Sequence, residues 1–340
     1  MKILELIPAL GAGGGERFTV DLCNELAKDN DVYLLKMRFF SNSDFYLQDL
    51  SKRVHFINLK EGISLISKIK QIFIAFYWIL RLKPDIVHGH LVAINWLFFA
   101  SLFYHKPKYF FTIHNLAEEE YGTKLGYYVR KFGFMHRIHP ITISDTCETS
   151  FRNVYGFNST KMIYNGCRDV KITNNFQYIF EEVNGYKKDK NTKVYINVAR
   201  NAIQKNHEVL IKSFLNFLCG GANAILILIG DWNQDIERKN KLLSMITSPN
   251  IHFLGPKNNV PDYLECADYF CLSSSWEGLP ISVLEAGLSG CYPVLTSVGG
   301  NKDIIIDDNW GLLSSDCTIQ AYIEVLKKSY HKNIDREEVK

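Results

Sequence analysis

At 340 residues the chain is too long for a single doubly wound domain and accommodates two of about 100–200 residues each. Its 47% hydrophobic and 22% charged residues suit a globular protein with two buried cores and exclude a disordered or fibrous one. The net charge of +3 is too small to argue for nucleic acid; divided after residue 165 it becomes +5 and −2, so any attraction to an anionic membrane surface or a phosphorylated acceptor belongs to the first half.

The opening stretch Met1–Ile7 is too short and interrupted for a secretory leader and reads as a first buried strand, Ile3–Ile7. A helix is predicted over Arg17–Lys28, with Phe18, Leu22 and Leu26 at four-residue spacing on one face. Strands are predicted at Val32–Lys36, His55–Leu59, Ile86–His88, Tyr109–Thr112 and Ile141–Ile143. Between them, Ile63–Leu80 places Ile66, Ile69, Ile72, Phe73, Phe76 and Leu80 on one wide apolar face with Lys68 and Lys70 elsewhere and Arg81 and Lys83 at the end. Such a helix packs on its own sheet or lies on an anionic membrane; the first is the favoured reading. Neither Ile72–Leu80 nor Leu91–Tyr104 reaches the roughly 18 apolar residues of a membrane span.

At Ile163-Tyr164-Asn165-Gly166 a strand end meets an Asn-Gly turn, and the polar stretch Val170–Lys190 carries no core period. The expected domains are therefore 1–166 and 167–340. Strands resume at Val194–Val198, Ala224–Ile229, His252–Leu254, Tyr269–Leu272 and Tyr292–Leu295, and a helix over Thr318–Tyr330 is expected to pack back near the domain boundary. This alternation predicts an α/β fold of two doubly wound, Rossmann-like domains facing across a cleft, with ligands at the carboxyl ends of the strands. Eight cysteines scattered without a CxxC pair suit neither zinc nor disulfides, and point to a reducing, cytoplasmic setting.

Two constellations carry chemistry. Gly13, Gly14 and Gly15 follow the first strand and open a helix, where glycine lets backbone approach a ligand and free amides favour an anion. A dinucleotide fingerprint would need an acidic residue at the end of strand two; that strand ends Leu35-Lys36-Met37-Arg38, and Asp31 precedes it. The stronger constellation runs from Ser273 to Ala286. Glu277 lies in the loop after strand Tyr269–Leu272, a helix starts near Pro280, and Glu285 sits more than a turn inside it. Amides around Gly278, Leu279, Pro280 and Ile281 can hold a phosphate while the carboxylates bind hydroxyls. Arg200 and Lys205 emerge after strand Val194–Val198, where a fork-shaped and a point cation can neutralise a departing diphosphate in place of a divalent metal. Asp29-Asn30-Asp31 reads as a turn cap, so no metal is expected.

The Glu-x7-Glu pair with Gly-x-Pro after its first Glu resembles the signature of glycosyltransferase family 4, retaining enzymes of the GT-B fold. The likeness extends through Gly13–Gly15, Phe111-Thr112-Ile113-His114, Ile143-Ser144, Ile163-Tyr164-Asn165-Gly166, Val198-Ala199-Arg200 with Lys205, Leu228-Ile229-Gly230, Phe253-Leu254-Gly255 and Gly299-Gly300. It implies that Glu285 binds the donor ribose, that Glu277 lies near the transferred sugar, that Arg200 and Lys205 neutralise the diphosphate, that Gly13–Gly15 approach donor phosphates or acceptor, and that His114 sits beside the reacting carbon. Gly255 is expected close to the base. Asn206 stands where the family usually has Gly, and Asp303 where it commonly has Glu.

The implied activity moves a sugar from a UDP-sugar, or less favourably a GDP-sugar, to a saccharide or lipid-linked saccharide in surface polysaccharide assembly, without cofactor or metal and with no nucleic acid. The expected place is the cytoplasm, at the inner face of the membrane. A sugar-nucleotide epimerase of the same architecture and a non-catalytic saccharide-binding protein are the rivals. His88 and His90 read equally as structural or acceptor-lining, and Glu118-Glu119-Glu120 as a solvated helix start.

Overall fold

The computed structural model describes residues 1–38, 44–332 and 334–340. The chain divides into two compact units, Met1–Asn165 and Gly166–Lys340.

The first unit runs β1 (Lys2–Ile7), α1 (Gly14–Leu26), β2 (Asp31–Arg38), β3 (His55–Glu61), α2 (Leu65–Leu82), β4 (Ile86–His90), α3 (Ile94–Phe103), β5 (Lys108–Ile113), α4 (Ala117–Glu120), α5 (Lys124–His136), β6 (Ile138–Thr142), α6 (Asp145–Tyr155) and β7 (Lys161–Met162). Its parallel sheet has the order β3-β2-β1-β4-β5-β6-β7. The β-branched and leucine-rich strands are buried on both faces, which is why they read as continuous apolar runs. Leu4 and Leu6 join the core beneath α2 and α3, whereas Ile3 and Ile7 pack with Val20 and Cys23 of α1 on the other face. The buried stripe of α1 is thus Thr19, Val20 and Cys23, while Phe18, Leu22 and Leu26 are only partly buried.

Helix α2 packs on its own sheet, as the favoured reading has it, but not through the whole face named for it. Ala75 and Ile79 are its buried apolar residues, and Ile72 and Phe76 pack against them, but Ile66, Ile69, Phe73 and Leu80 remain exposed at 80%, 50%, 57% and 40%. The helix carries apolar residues around most of its circumference, and a sheet can cover only one side. Leu102 and Phe103 of α3 and Leu125, Tyr128, Phe132 and Met135 of α5 are exposed as well. No helix among the described residues is long and apolar enough to cross a membrane.

The second unit runs α7 (Phe176–Tyr186), β8 (Lys193–Val198), α8 (His207–Cys219), β9 (Ala224–Ile229), α9 (Ile236–Met245), β10 (Ile251–Gly255), α10 (Val260–Glu265), β11 (Tyr269–Leu272), α11 (Ile281–Leu288), β12 (Tyr292–Thr296), α12 (Asn301–Ile304), β13 (Leu312–Ser314), α13 (Ile319–Tyr330) and α14 (Arg336–Val339). Its parallel sheet has the order β10-β9-β8-β11-β12-β13. Helix α7 lies in the stretch read as lacking a core period; Ile179 and Val183, one turn apart, supply its buried face. Helix α13 packs inside this unit's core, with Tyr322 and Leu326 fully buried and the Tyr322 hydroxyl donating to the Val294 carbonyl at 2.7 Å.

In both sheets the chain winds outward in opposite directions from a central pair, β1/β4 and β8/β11. Loops leaving such a pair diverge and open a crevice at the carboxyl edge. Each unit therefore has one place where its topology favours a ligand.

Candidate functional site

In the second unit the crevice lies between the loops after β8 and β11. The Lys205 ammonium donates to Glu277 Oε1 at 2.6 Å, and Ser274 Oγ donates to the same oxygen at 2.5 Å. Gln204 Nε2 holds the Trp276 carbonyl at 2.9 Å, and the Ser275 amide donates to the Gln204 carbonyl at 2.8 Å. Glu277 is 4% exposed, so this buried carboxylate is charge-paired and fixed in direction. Pairing between Lys205 and Glu277 was not legible in the sequence, which gave them separate partners.

Neighbouring loops lock onto this pair through glycine. A Cβ on Gly299, whose φ is +48°, would lie 1.9 Å from the Glu277 carbonyl oxygen, and one on Gly300 would lie 1.8 Å from that of Gly278. Only backbone without a side chain fits there. On the other side Gly230 approaches Ala199 in the same way and donates its amide to the Gly255 carbonyl at 3.0 Å. Loops from five adjacent strands are thus tied edge to edge.

Arg200 leaves β8 at this edge. It is half-buried, and its guanidinium makes no hydrogen bond or ion pair with any described residue. Gly278, Leu279, Pro280 and Ile281 are buried, and Pro280 stands in extended conformation at the N-cap of α11, where no side chain caps the helix. Glu285 is half-buried on α11. A cation without a partner among the described residues and an uncapped helix start, on loops leaving the neighbouring strands β8 and β11, are each suited to an anion, and two carboxylates nearby in sequence are suited to hydroxyls.

The crevice of the first unit holds a histidine cluster. Glu5 of β1 pairs in register with His88 of β4. Glu5 Oε2 accepts from His88 Nδ1 at 3.1 Å and from His90 Nε2 at 2.8 Å. His90 Nδ1 lies 3.0 Å from His114 Nε2, and His88 Nε2 lies 2.8 Å from Thr112 Oγ1. Burial pushes the Glu5 carboxyl up, but the two imidazoles outweigh it and hold it down at about 2. Burial lowers His90 to about 4 and drives His114 well below the usual histidine range, with the neighbouring imidazoles adding to both. Burial thus favours the neutral form of His90 and His114.

The glycine loop adjoins this cluster. A Cβ on Gly15 would press on Leu91 at 2.9 Å and stand 3.5 Å from His114 Cγ, whereas one on Gly14 would meet nothing within 4 Å. The Glu16 carboxylate folds back over Gly13, where a Cβ would clash with it at 2.3 Å. Phe18 meets the edges of His90 and His114, with centroids at 6.0 and 5.4 Å. Leu91 takes φ +58°, strain of the kind that collects at functional sites. Glu120 does not belong to a solvated run. Its Oε1 accepts the backbone amides of His114 and Asn115 at 2.7 and 3.0 Å, and burial raises its carboxyl to about 7.

Sequence reasoning missed Glu5. The signal was present: a carboxylate in an otherwise apolar buried strand requires a polar partner, and His88 and His90 supply the polar positions of a neighbouring strand. Ligand atoms of Glu5, His88 and His90 lie within 4.8 Å of one another, close enough to hold a metal ion, although hydrogen bonds among them already satisfy the shared oxygen.

Residues 12–169 match the family model described as Glycosyltransferase Family 4, and residues 179–340 match Glycosyl transferases group 1. An uncharacterized glycosyltransferase of Methanocaldococcus jannaschii is 38% identical over 112 residues, 32% of this chain; the match spans only 26% of that protein's length. The GalNAc-α-(1→4)-GalNAc-α-(1→3)-diNAcBac-PP-undecaprenol α-1,4-N-acetyl-D-galactosaminyltransferase of Campylobacter jejuni is 25% identical over 322 residues, 92% of this chain and 84% of that one. Among solved structures, HepE of Anabaena in complex with UDP and glucose superposes with a TM-score of 0.81 at 17% identity, covering 100% of this chain and 91% of that one.

Proposed function

The chain belongs to the group 1, family 4 glycosyltransferases and has the GT-B type of fold, and from that premise we propose that it transfers a sugar from a nucleoside-diphosphate sugar to a hydroxyl of a lipid-linked saccharide. The anomeric carbon–phosphate oxygen bond breaks, a bond to the acceptor oxygen forms, and the acceptor's proton ends on the released nucleoside diphosphate. Negative charge grows on that leaving group, and the observation that carries the reading is Arg200, a half-buried guanidinium without a partner among the described residues, on the loop after β8, whose neighbour β11 leads into the uncapped start of α11. Lys205 is bound to Glu277, so its contribution is to fix the carboxylate that meets the transferred sugar, with its remaining donors available to phosphate. Glu285 would take the ribose hydroxyls. The protein's own cations and amides supply the counter-charge, and turnover is expected to survive EDTA.

The first unit would receive the acceptor. Glu16 places its own carboxylate beside Gly13 of the glycine loop, and a negative charge there favours an acceptor hydroxyl over a second phosphate. The Campylobacter relative acts on an undecaprenol-linked saccharide, which supports a lipid-linked acceptor, and HepE was crystallised with UDP, which supports UDP over GDP. Retention of anomeric configuration follows the family resemblance. The exposed apolar faces of α2, α3 and α5 would rest on the membrane that holds such an acceptor, at its cytoplasmic side.

Calorimetry with UDP and GDP, followed by mass spectrometry of nucleotide released from a panel of nucleotide sugars, tests the donor. Arg200→Ala should lower kcat by about 10²–10³, equivalent to about 2.7–4 kcal/mol of lost charge stabilisation. Absence of any nucleotide binding would favour a saccharide-binding protein, and conversion of a donor without an acceptor would favour an epimerase.

A further inference from the structure

We propose that Glu5 and His90 fix His114 as a single neutral tautomer, protonated at Nε2, so that its Nδ1 faces substrate as a hydrogen-bond acceptor for a sugar hydroxyl. Placing that hydroxyl at the transfer centre rests on the transferase reading; the tautomer itself does not.

The argument follows the hydrogen bonds inward from the one group whose role is unambiguous. A carboxylate can only accept. Glu5 Oε2 is 2.8 Å from His90 Nε2, so that nitrogen carries the proton. A neutral imidazole has one N–H and one lone pair, which leaves His90 Nδ1 as an acceptor. Its partner, 3.0 Å away, is His114 Nε2, which must therefore donate. The lone pair of His114 falls on Nδ1, for which no described residue provides a hydrogen-bond partner. His88 obeys the same logic in parallel, donating to Glu5 from Nδ1 and accepting from the Thr112 hydroxyl at Nε2.

Position reinforces the assignment. Glu5 and His90 are fully buried on adjacent central strands of the sheet, so neither of them can exchange its partner for water. Phe18 closes the side of both rings. His114 is held from behind as well, since Glu120 binds its backbone amide. Of the relay, only His114 is half-exposed. Glu5 and His90 are thus positioning residues that act through His114.

The test is long-range proton–nitrogen NMR of the full-length, ligand-free protein labelled at histidine, compared with Glu5→Gln and His90→Phe, alongside steady-state kinetics. In the unaltered protein His114 should show a protonated Nε2 and a bare Nδ1 across pH 6–8. In both variants its signals should move toward the mixed tautomers of a free imidazole, while kcat falls at least about 10-fold and KM for the nucleotide sugar stays within about two-fold. Should Glu5→Gln fail to fold, His90→Phe keeps a ring in place and leaves Glu5 bonded to His88. A proton on Nδ1 in the unaltered protein overturns the proposal, as do ring signals indifferent to both substitutions. Stoichiometric zinc removable by EDTA also overturns it, because the nitrogens facing Glu5 would then be ligands rather than donors. Altered ring signals with unchanged kcat sink the positioning role. The spectra need no substrate, so their outcome is separate from that of the donor screen.

Discussion

Asn206 explains how a departure from the family pattern is absorbed. It adopts φ 47° and ψ 45°, the left-handed conformation in which glycine is free and asparagine is the best tolerated residue with a side chain. The turn places Lys205 against Glu277 and starts α8, and the Ser273 hydroxyl secures it by donating to the Asn206 carbonyl at 3.0 Å. Asn206→Ala should therefore cost about 1 kcal/mol by urea unfolding, while Asn206→Gly should be neutral or slightly stabilising. A larger loss in the Gly variant would show that the asparagine side chain, and not the backbone turn, matters. Glu120 gives a second residue-scale expectation. Its folded-state carboxyl titrates near 7 against an ordinary 4.5, because burial outweighs Arg130 and two backbone amides. The folded state holds that proton more tightly, so the stability it contributes is complete below about 4.5 and is lost as pH rises toward 7. Glu120→Gln keeps the acceptor for both amides but cannot ionise, and its unfolding midpoint should change less between pH 5 and pH 8 than that of the unaltered protein. Equal changes in the two would mean that Glu120 is ionised throughout. This residue was misread in the sequence because a run of three acids looks solvated, whereas one helical turn points Glu120 inward and leaves Glu118 and Glu119 exposed.

At the scale of elements, the strands were legible because parallel strands buried on both faces are short apolar runs, and the loops after β1, β8 and β11 could be placed from them. Helices were read less well. A period tells which residues share a face, but not how much of that face meets the core: on α2 Ile72 and Phe76 pack against it, while Ile66, Ile69, Phe73 and Leu80 stay exposed. Helix α7 was lost because two apolar residues, Ile179 and Val183, suffice when a sheet edge is near. The pairing of Lys205 with Glu277 needs a neighbour relation between β8 and β11 that chain order does not reveal. The glycine loop opening α1 shows what structure adds, since it separates three residues that look alike. A Cβ on Gly13 would displace the Glu16 carboxylate and one on Gly15 the Leu91 side chain, but Gly14 has open space. Gly14→Ala should fold with stability unchanged or raised by up to about 1 kcal/mol, because alanine loses less chain entropy in a first helical turn. If the loop approaches acceptor, the same variant should still bind UDP and yet turn over at least about 10-fold more slowly. Full activity in a stable Gly14→Ala protein would reduce the loop to a structural turn.

At the scale of the whole molecule, both sheets reverse their winding at the pair of strands that carries the chemistry, Glu5 with His88 and His90 on β1/β4, and Lys205 with Glu277 after β8/β11. The remaining large feature is the outer face of α2, α3 and α5. Their exposed side chains are continuous through ring contacts, from Phe73 to Phe99 at 5.4 Å between α2 and α3, and from Phe98 to Phe132 at 6.0 Å between α3 and α5. None of the three helices contains an Asp or Glu, while Lys68, Lys70, Arg81, Lys124 and Lys131 lie on them. An apolar surface on helices without carboxylates, edged with cations of which Lys70 is paired with Glu61 at 2.9 Å, is attracted to an anionic bilayer by two forces, about 1.5–3 kcal/mol for each side chain that becomes buried and about 1 kcal/mol for each nearby unpaired cation. The two respond differently to salt, because screening weakens only the second. Co-sedimentation with vesicles containing anionic phospholipid should therefore fall, but persist, on raising salt from 0.05 to about 0.5 M. Ile69→Asp with Phe73→Asp should abolish it at either salt, while leaving kcat on a water-soluble acceptor unchanged because neither side chain is buried in the core. Binding that vanishes completely with salt would make the contact electrostatic alone, and binding unaffected by the double substitution would assign these helices some other partner.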